Sequence, residues 1–446
     1  LDFDPRILVV TGDEAEGEAL CRQLDSEGWT TITAPSPETA EVVLEDFPIE
    51  AAILVAGQAD ADVSAVAARL KGLASPRYLP VIALIGRAPT PEESTTVDLA
   101  MTAPAHPVQL RIRLEQLVRA ALAEEELNLR IDTFRQQGQA IDLPATDLTP
   151  VRVLAAGKPD RRFLALSNAL AEDGAEVVAA PTPYTAFDYL HESPFDAAVL
   201  WGAEDHAPAL SIASGMKRNT RLYHIPVMLY LNDGAQMDAS DLFGRGFADV
   251  AAADTDERET ARRLMAMARF HRRQTGVRRA LESVRGSGLT DPDTGLFTRD
   301  LFAQHLGRVS EASRERRRPL SLCVLKVTMT EPVEEARRDG WLARALPQIG
   351  TMVSRLIRTE DTAARLSSEV FALALPGTTE AQARIAAQRI VAVIGCTAFE
   401  AGPGRSPFVV EFELGVAEQQ PGEAPARTLE RASSVLANDA RAGVTP

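Results

Sequence analysis

The sequence predicts an α/β protein: two doubly wound parallel-sheet domains in tandem, followed by a further α/β domain. Three observations carry this. The chain has 446 residues, about three domains at roughly 150 residues each. Its first half repeats itself, and within each copy short apolar strands alternate with amphipathic helices.

The repeat is read directly. Arg6-Ile7-Leu8 returns as Arg152-Val153-Leu154, and Ala34-Pro35-Ser36-Pro37 as Ala180-Pro181-Thr182-Pro183. Ala51-Ala52-Ile53-Leu54 returns as Ala197-Ala198-Val199-Leu200, and Pro80-Val81 as Pro226-Val227. One offset serves every pair (152 − 6 and 226 − 80 are both 146), which is the period of a duplicated domain rather than a solenoid. Arg6–Val10, Ala51–Val55 and Pro80–Ile85 are continuous apolar runs with β-branched residues, as buried parallel strands require. Glu14–Glu27 places Ala15, Ala19, Leu20 and Leu24 on one helical face, completing a βαβ unit. Pro107–Gln136 reads as a long helix striped by Leu110, Leu114, Leu117 and Leu127 that outlasts its domain. The expected organisation is 1–136, a linker at 137–150, a second copy at 151–276, a linker helix or turn at 277–288, and a last domain at 289–446.

Composition narrows the function classes. With 45% hydrophobic and 25% charged residues, each domain can bury an ordinary core. No apolar run approaches the ~18 residues that span a bilayer, and no signal-peptide pattern opens the chain, so a cytoplasmic protein without a membrane span is expected. The opening residue is Leu1 rather than Met, from which a trimmed or engineered N-terminus is expected. Cys21, Cys323 and Cys396 match no disulfide or metal spacing, and the six histidines never pair at ligand spacing, so no metal site is expected. The net charge of −16 repels phosphate backbones, and DNA binding is not expected. The densest basic run, Arg314, Arg316, Arg317 and Arg318, reads as a solvated helix end before a strand.

Both copies resemble CheY-like receiver domains of response regulators. That resemblance calls for an acidic pair after the first strand and a phosphoacceptor Asp ending the third. A hydroxyl and a Lys follow the next two strands, so that Mg²⁺ and cations surround the phosphoryl group. The corresponding positions here are Thr11, Gly12, Val55, Ile85 and Ala103 in copy one. In copy two they are Ala156, Gly157, Trp201, Leu231 and Ala253. Asp13, Asp60, Asp160 and Asp205 stay near the pockets but off the strand ends. Neither copy is expected to accept phosphate, and docking is the role left to them.

From Leu289-Thr290-Asp291-Pro292-Asp293-Thr294-Gly295-Leu296 onward the chain resembles a GGDEF domain, a nucleotidyl-cyclase-like α/β fold. Thr and Asp there read as caps of a turn and a helix start. The resemblance implies a cyclase that joins two GTP molecules with metal-bound carboxylates and a Gly-Gly turn. Here the signature hairpin reads Ser367-Ser368-Glu369-Val370-Phe371, and the upstream metal Asp corresponds to Lys326. The guanine-holding positions correspond to Glu334 and Ala343, and the phosphate Lys to Ala440. Serines take positive φ less cheaply than glycines, and a cation replaces a metal ligand. The domain is therefore expected to be degenerate, with no catalytic residues, no metal and no cofactor.

Upstream of the hairpin, Arg358-Thr359-Glu360-Asp361 matches the RxxD motif by which this family binds cyclic di-GMP, and Arg389 corresponds to a second arginine of that pocket. An Arg fork suits a phosphate or a guanine edge, and an Asp accepts from the guanine N–H donors. The plain alternative is a helix-ending Arg paired with a turn Asp. The domain order resembles PleD-type response regulators, and the degenerate state a PopA-like cyclic di-GMP effector. Such a likeness implies recruitment of adaptors and substrates for regulated proteolysis in cell-cycle control at the cell pole, and a homodimer contact through the receivers. A ligand-free scaffold and a weakly active cyclase remain the alternatives.

Overall fold

The computed structural model describes residues 5–57, 62–139, 149–202, 206–219, 221–231, 237, 239–251, 255–283 and 289–442. The first copy runs β1 (Arg6–Val10), α1 (Glu14–Ser26), β2 (Thr30–Ala34), α2 (Pro37–Asp46), β3 (Ala51–Ala56) and α3 (Val63–Ala74). It continues through β4 (Val81–Ile85), α4 (Pro91–Thr96), β5 (Leu99–Thr102) and α5 (Pro107–Gln136). The second runs β6 (Val151–Ala156), α6 (Arg161–Glu172), β7 (Ala175–Ala180), α7 (Pro183–Glu192), β8 (Ala197–Gly202) and α8 (Ala207–Arg218). Then come β9 (Val227–Leu231), α9 (Ala239–Gly244), β10 (Asp249–Ala251) and α10 (Glu257–Ser283). Both sheets are parallel with the same strand order, β2-β1-β3-β4-β5 and β7-β6-β8-β9-β10. Ile7, Leu8, Ile53, Val153, Leu154 and Leu200 are wholly buried, as a sheet covered on both faces demands.

The repeated Ala-Pro-Ser/Thr-Pro motif has a local cause. Ala34 and Ala180 are the buried last residues of edge strands β2 and β7, and the next hydroxyl caps a helix with Pro at its first position. Ser36 Oγ accepts from the Thr39 amide at 3.3 Å, and Thr182 Oγ1 from the Thr185 amide at 3.2 Å.

The third sheet is mixed. It is built from β11 (Phe297–Thr298), α11 (Arg299–Arg316), β12 (Leu320–Val327), α12 (Glu331–Arg338), α13 (Trp341–Leu356) and β13 (Thr362–Arg365). β14 (Val370–Pro376), α14 (Glu380–Gly395), β15 (Phe412–Glu418) and α15 (Pro425–Ala442) complete it. The strand order is β11-β13-β14-β12-β15, antiparallel except where β11 meets β13. Two expectations need correction here. The helix after the opening motif begins only at Arg299, capped by Thr298, because Asp291 closes a tight turn instead. Its Oδ1 accepts from the Thr294 amide at 2.9 Å, and Arg365 holds Asp291 and Asp293 at 3.2 and 2.7 Å. Nor is the basic run wholly solvated. Arg318 is buried and pairs with Glu125 at 2.5 Å, since a charge at that depth needs a partner.

The chain divides into two compact units, one holding the first two sheets and the other the third. Helix α5 passes from the first unit to the second at Leu122, and α10 does so at Val277. Within the first unit the two copies dock on each other. Glu259 accepts from the Thr102 hydroxyl at 2.8 Å, and the fully buried Asp249 accepts from both Gln109 and Arg263.

Candidate functional site

The strand ends that would carry phosphoryl chemistry carry apolar groups. Val55 is the last residue but one of the third strand of copy one, and Trp201 that of copy two. Trp201 is buried, stacks on Tyr230 at 3.9 Å and meets Phe163 edge-on at 5.6 Å. Its indole N–H donates to Asp160 at 2.9 Å, and Asp160 also caps α6. Gly157, at φ 146°, lies so close that an added Cβ would stand 2.5 Å from the Trp201 Cβ. Asp13 caps α1 through the Glu16 amide. Asp60, Asp205 and Ala253 lie outside the described residues.

In the third sheet, Lys326 stands near the end of the central strand β12, opposite Val370 on β14 and Glu413 on β15. Its ammonium pairs with Glu413 at 3.1 Å. The Ser367–Glu369 hairpin lies against this strand end, where the Val327 amide donates to the Glu369 carbonyl at 2.9 Å. Glu369 pairs with Arg337 of α12 at 2.7 Å. Glu334 and Ala343 are exposed on α12 and α13, and Ala440 lies in α15. Each carboxylate nearest the strand end thus has a cation of the protein itself beside it.

The RxxD residues form a closed turn between α13 and β13. The Arg358 amide donates to Asp361 Oδ2 at 2.8 Å, and the Asp361 amide returns to the Arg358 carbonyl at 3.2 Å. The spacing is what this geometry needs: two residues between, so that backbone and carboxylate close on each other. Asp361 is buried, and its Oδ1 has no hydrogen-bond partner among the described residues. Burial, with Glu360 beside it, pushes the Asp361 carboxyl up to about 8, outweighing the Arg358 amide and guanidinium that favour the charge. Arg389, exposed on α14, reaches the same place and donates to the Leu356 carbonyl at 2.9 Å, capping the end of α13. The structure therefore joins Arg358 to Asp361 directly and anchors Arg389 two residues away, on the Leu356 carbonyl.

Behind the turn lies a polar cluster that the sequence reading missed. Glu126 and Arg130 on α5, His305 on α11 and Thr362 on β13 are all buried. Arg130 Nη2 donates to the Asp361 carbonyl at 2.9 Å and to Thr362 Oγ1 at 3.0 Å, and its Nε to Glu126 at 2.6 Å. The Thr362 hydroxyl donates to Glu126 at 2.7 Å, and His305 Nε2 lies 2.9 Å from the same oxygen. Burial opposes the Glu126 charge, but His305 and Arg130 outweigh it and hold the carboxyl at about 2. The available signal was a Glu–Arg pair four residues apart on a helix, which usually marks a solvated face.

Residues 289–444 match the family profile described as "Diguanylate cyclase, GGDEF domain". The last third of the chain is a GGDEF domain. The two doubly wound domains ahead of it complete a receiver–receiver–GGDEF order. Along 438 residues the chain is 24% identical to the response regulator PleD of Caulobacter vibrioides, covering 96% of this chain and 95% of that one. Among solved structures, the GGDEF domain of DgcB from Caulobacter crescentus, in complex with c-di-GMP, is 22% identical at a TM-score of 0.33. That match covers 36% of this chain and 92% of that one. The diguanylate cyclase SiaD of Pseudomonas aeruginosa, solved with its activator SiaC, is 26% identical at 0.33, covering 41% and 70%. A GGDEF domain on a PleD-like chain indicates cyclic di-GMP metabolism or signalling. Among the described residues no helix is long and apolar enough to cross a membrane.

Proposed function

We propose that this protein is a cyclic di-GMP effector whose GGDEF domain binds the dinucleotide at the RxxD turn and does not synthesise it. The observation that carries the reading is the buried Oδ1 of Asp361, which has no hydrogen-bond partner among the described residues, with Arg358 closing the same turn and Arg389 held on the Leu356 carbonyl two residues before it. A buried carboxyl oxygen without a partner is costly, and once the proton is released guanine supplies N1–H and N2–H donors that satisfy it. The two guanidiniums suit the phosphates and the guanine N7/O6 edge of the same ligand.

The cyclase reading fares worse on the same grounds. A metal pair would have to sit beside Lys326, with Glu369 already neutralised by Arg337. This donor set does not fit Mg²⁺, which wants several oxygen ligands and no adjacent cation. Val55 and Trp201 likewise leave the receivers no phosphoacceptor, and their docking on each other supports an assembly role. By likeness to PopA, the effector would recruit adaptors and substrates to a cytoplasmic AAA+ protease at the cell pole, with the receivers as a homodimer contact. On this proposal the receivers span 1–136 and 151–276 and the GGDEF domain 289–446.

Calorimetric titration with cyclic di-GMP tests the assignment. The unaltered chain should bind with a Kd of about a micromolar or tighter, and Arg358→Ala should lose about 2 kcal/mol or more, a thirtyfold weakening or greater. Equal affinity of the two proteins would remove Arg358 from the site.

A further inference from the structure

We propose that Arg130 is a positioning residue of the RxxD site, and that cyclic di-GMP binding is linked to the seating of the second half of α5 on β13 and α11. The inference rests on reading that turn as the ligand site. Its basis is a single guanidinium that holds the site from behind. Arg130 reaches both the Asp361 carbonyl and the Thr362 hydroxyl, so it fixes the peptide joining the two. That peptide sets where the Asp361 carboxylate points, and the carboxylate is the group with an oxygen left to offer.

The grip is itself braced. Glu126 receives the other face of the Arg130 fork, the Thr362 hydroxyl and the His305 ring, and Thr133 Oγ1 lies 3.1 Å from His305 Nδ1. The Arg130 guanidinium also lies over Phe297, 5.5 Å from the ring centre. Phe134 packs in the same cluster as Phe297 and Phe302, so apolar contacts seat the helix while the polar ones aim it. A buried network of this kind has few intermediate arrangements: either α5 is seated and the peptide is held, or both are released. Linkage then works in both directions. A ligand that needs the held turn tightens the helix, and whatever loosens the helix weakens the ligand, by one common factor. Because α5 begins as the last helix of the first receiver, a partner that engages that receiver has a covalent route to the site.

The test uses the full-length chain and cyclic di-GMP as the probe. Arg130→Gln, which loses the fork, and Thr362→Val, which loses its second anchor, should each weaken binding about tenfold. Both are measured well below the melting temperature, where a merely structural role would leave affinity unmoved. In the unaltered protein, saturating cyclic di-GMP should slow amide hydrogen exchange across residues 126–136, and this readout needs no variant to fold. Tight binding by the unaltered chain with undiminished affinity in both variants, or with exchange in α5 unmoved, overturns the inference and leaves the site standing. No binding by the unaltered chain removes the site and this inference together.

Discussion

The carboxyl of Asp361 sits at about 8, far above the ordinary 3.8, so the folded chain keeps this proton after the unfolded chain has lost it. Its contribution to stability is therefore complete below about pH 4 and lost as pH rises toward 8. A ligand that donates N–H groups to Oδ1 prefers the charged form, and binding must release the proton. Affinity for cyclic di-GMP is thus expected to rise with pH between about 6 and 8, by up to roughly tenfold per unit, and then to level. Titrations in buffers of different ionisation heat read the released proton directly, and Asp361→Asn should flatten the profile. A flat profile in the unaltered protein would show that Asp361 does not meet the ligand as a carboxylate. The RxxD turn was legible because its spacing closes a local loop. The burial of Asp361 was not, because it depends on α5, which is more than two hundred residues earlier in the chain.

Helix α5 shows how an element's pattern can be right and its meaning incomplete. Its leucines were read as one stripe, and Leu110, Leu114, Leu117 and Leu127 are all buried. The stripe serves two units, however, and three polar residues of its second half, Glu126, Arg130 and Thr133, are buried as well. Local periodicity cannot register a change of partner along one helix. Removing Glu126 would leave Arg130 and His305 without their shared acceptor, so Glu126→Ala should cost about 3 kcal/mol or more by denaturant titration. The pH dependence follows from its depressed carboxyl at about 2 against the usual 4.5. That stability is present above about pH 4.5 and lost as pH falls through about 2. A loss under 1 kcal/mol would mean that water replaces the acceptor. By contrast, the caps at Ser36 and Thr182 are decided within four residues, although those residues entered the sequence argument only as part of the repeat.

Across the whole molecule, duplication made the architecture readable, because one offset fixed two domains at once. The residues that dock the two copies were not readable, since the buried Asp249 group joins residues from α5, β10 and α10. Small phosphodonors should leave the chain without an acid-labile phosphate, and Trp201 fluorescence should not respond to beryllofluoride. The indole already fills the strand end and is held by Asp160 and Tyr230. A stable adduct at either receiver would overturn that assignment.

On the function proposed, one pocket of the GGDEF domain grips a guanine dinucleotide while the other has lost its chemistry. The most direct test is equilibrium binding of cyclic di-GMP to the full chain in the presence of excess GTP and Mg²⁺, with pyrophosphate release followed in the same sample. Saturable binding at about a micromolar or tighter, undisturbed by GTP and with no pyrophosphate formed, is the expected result. Absence of binding, or steady consumption of GTP, would contradict it.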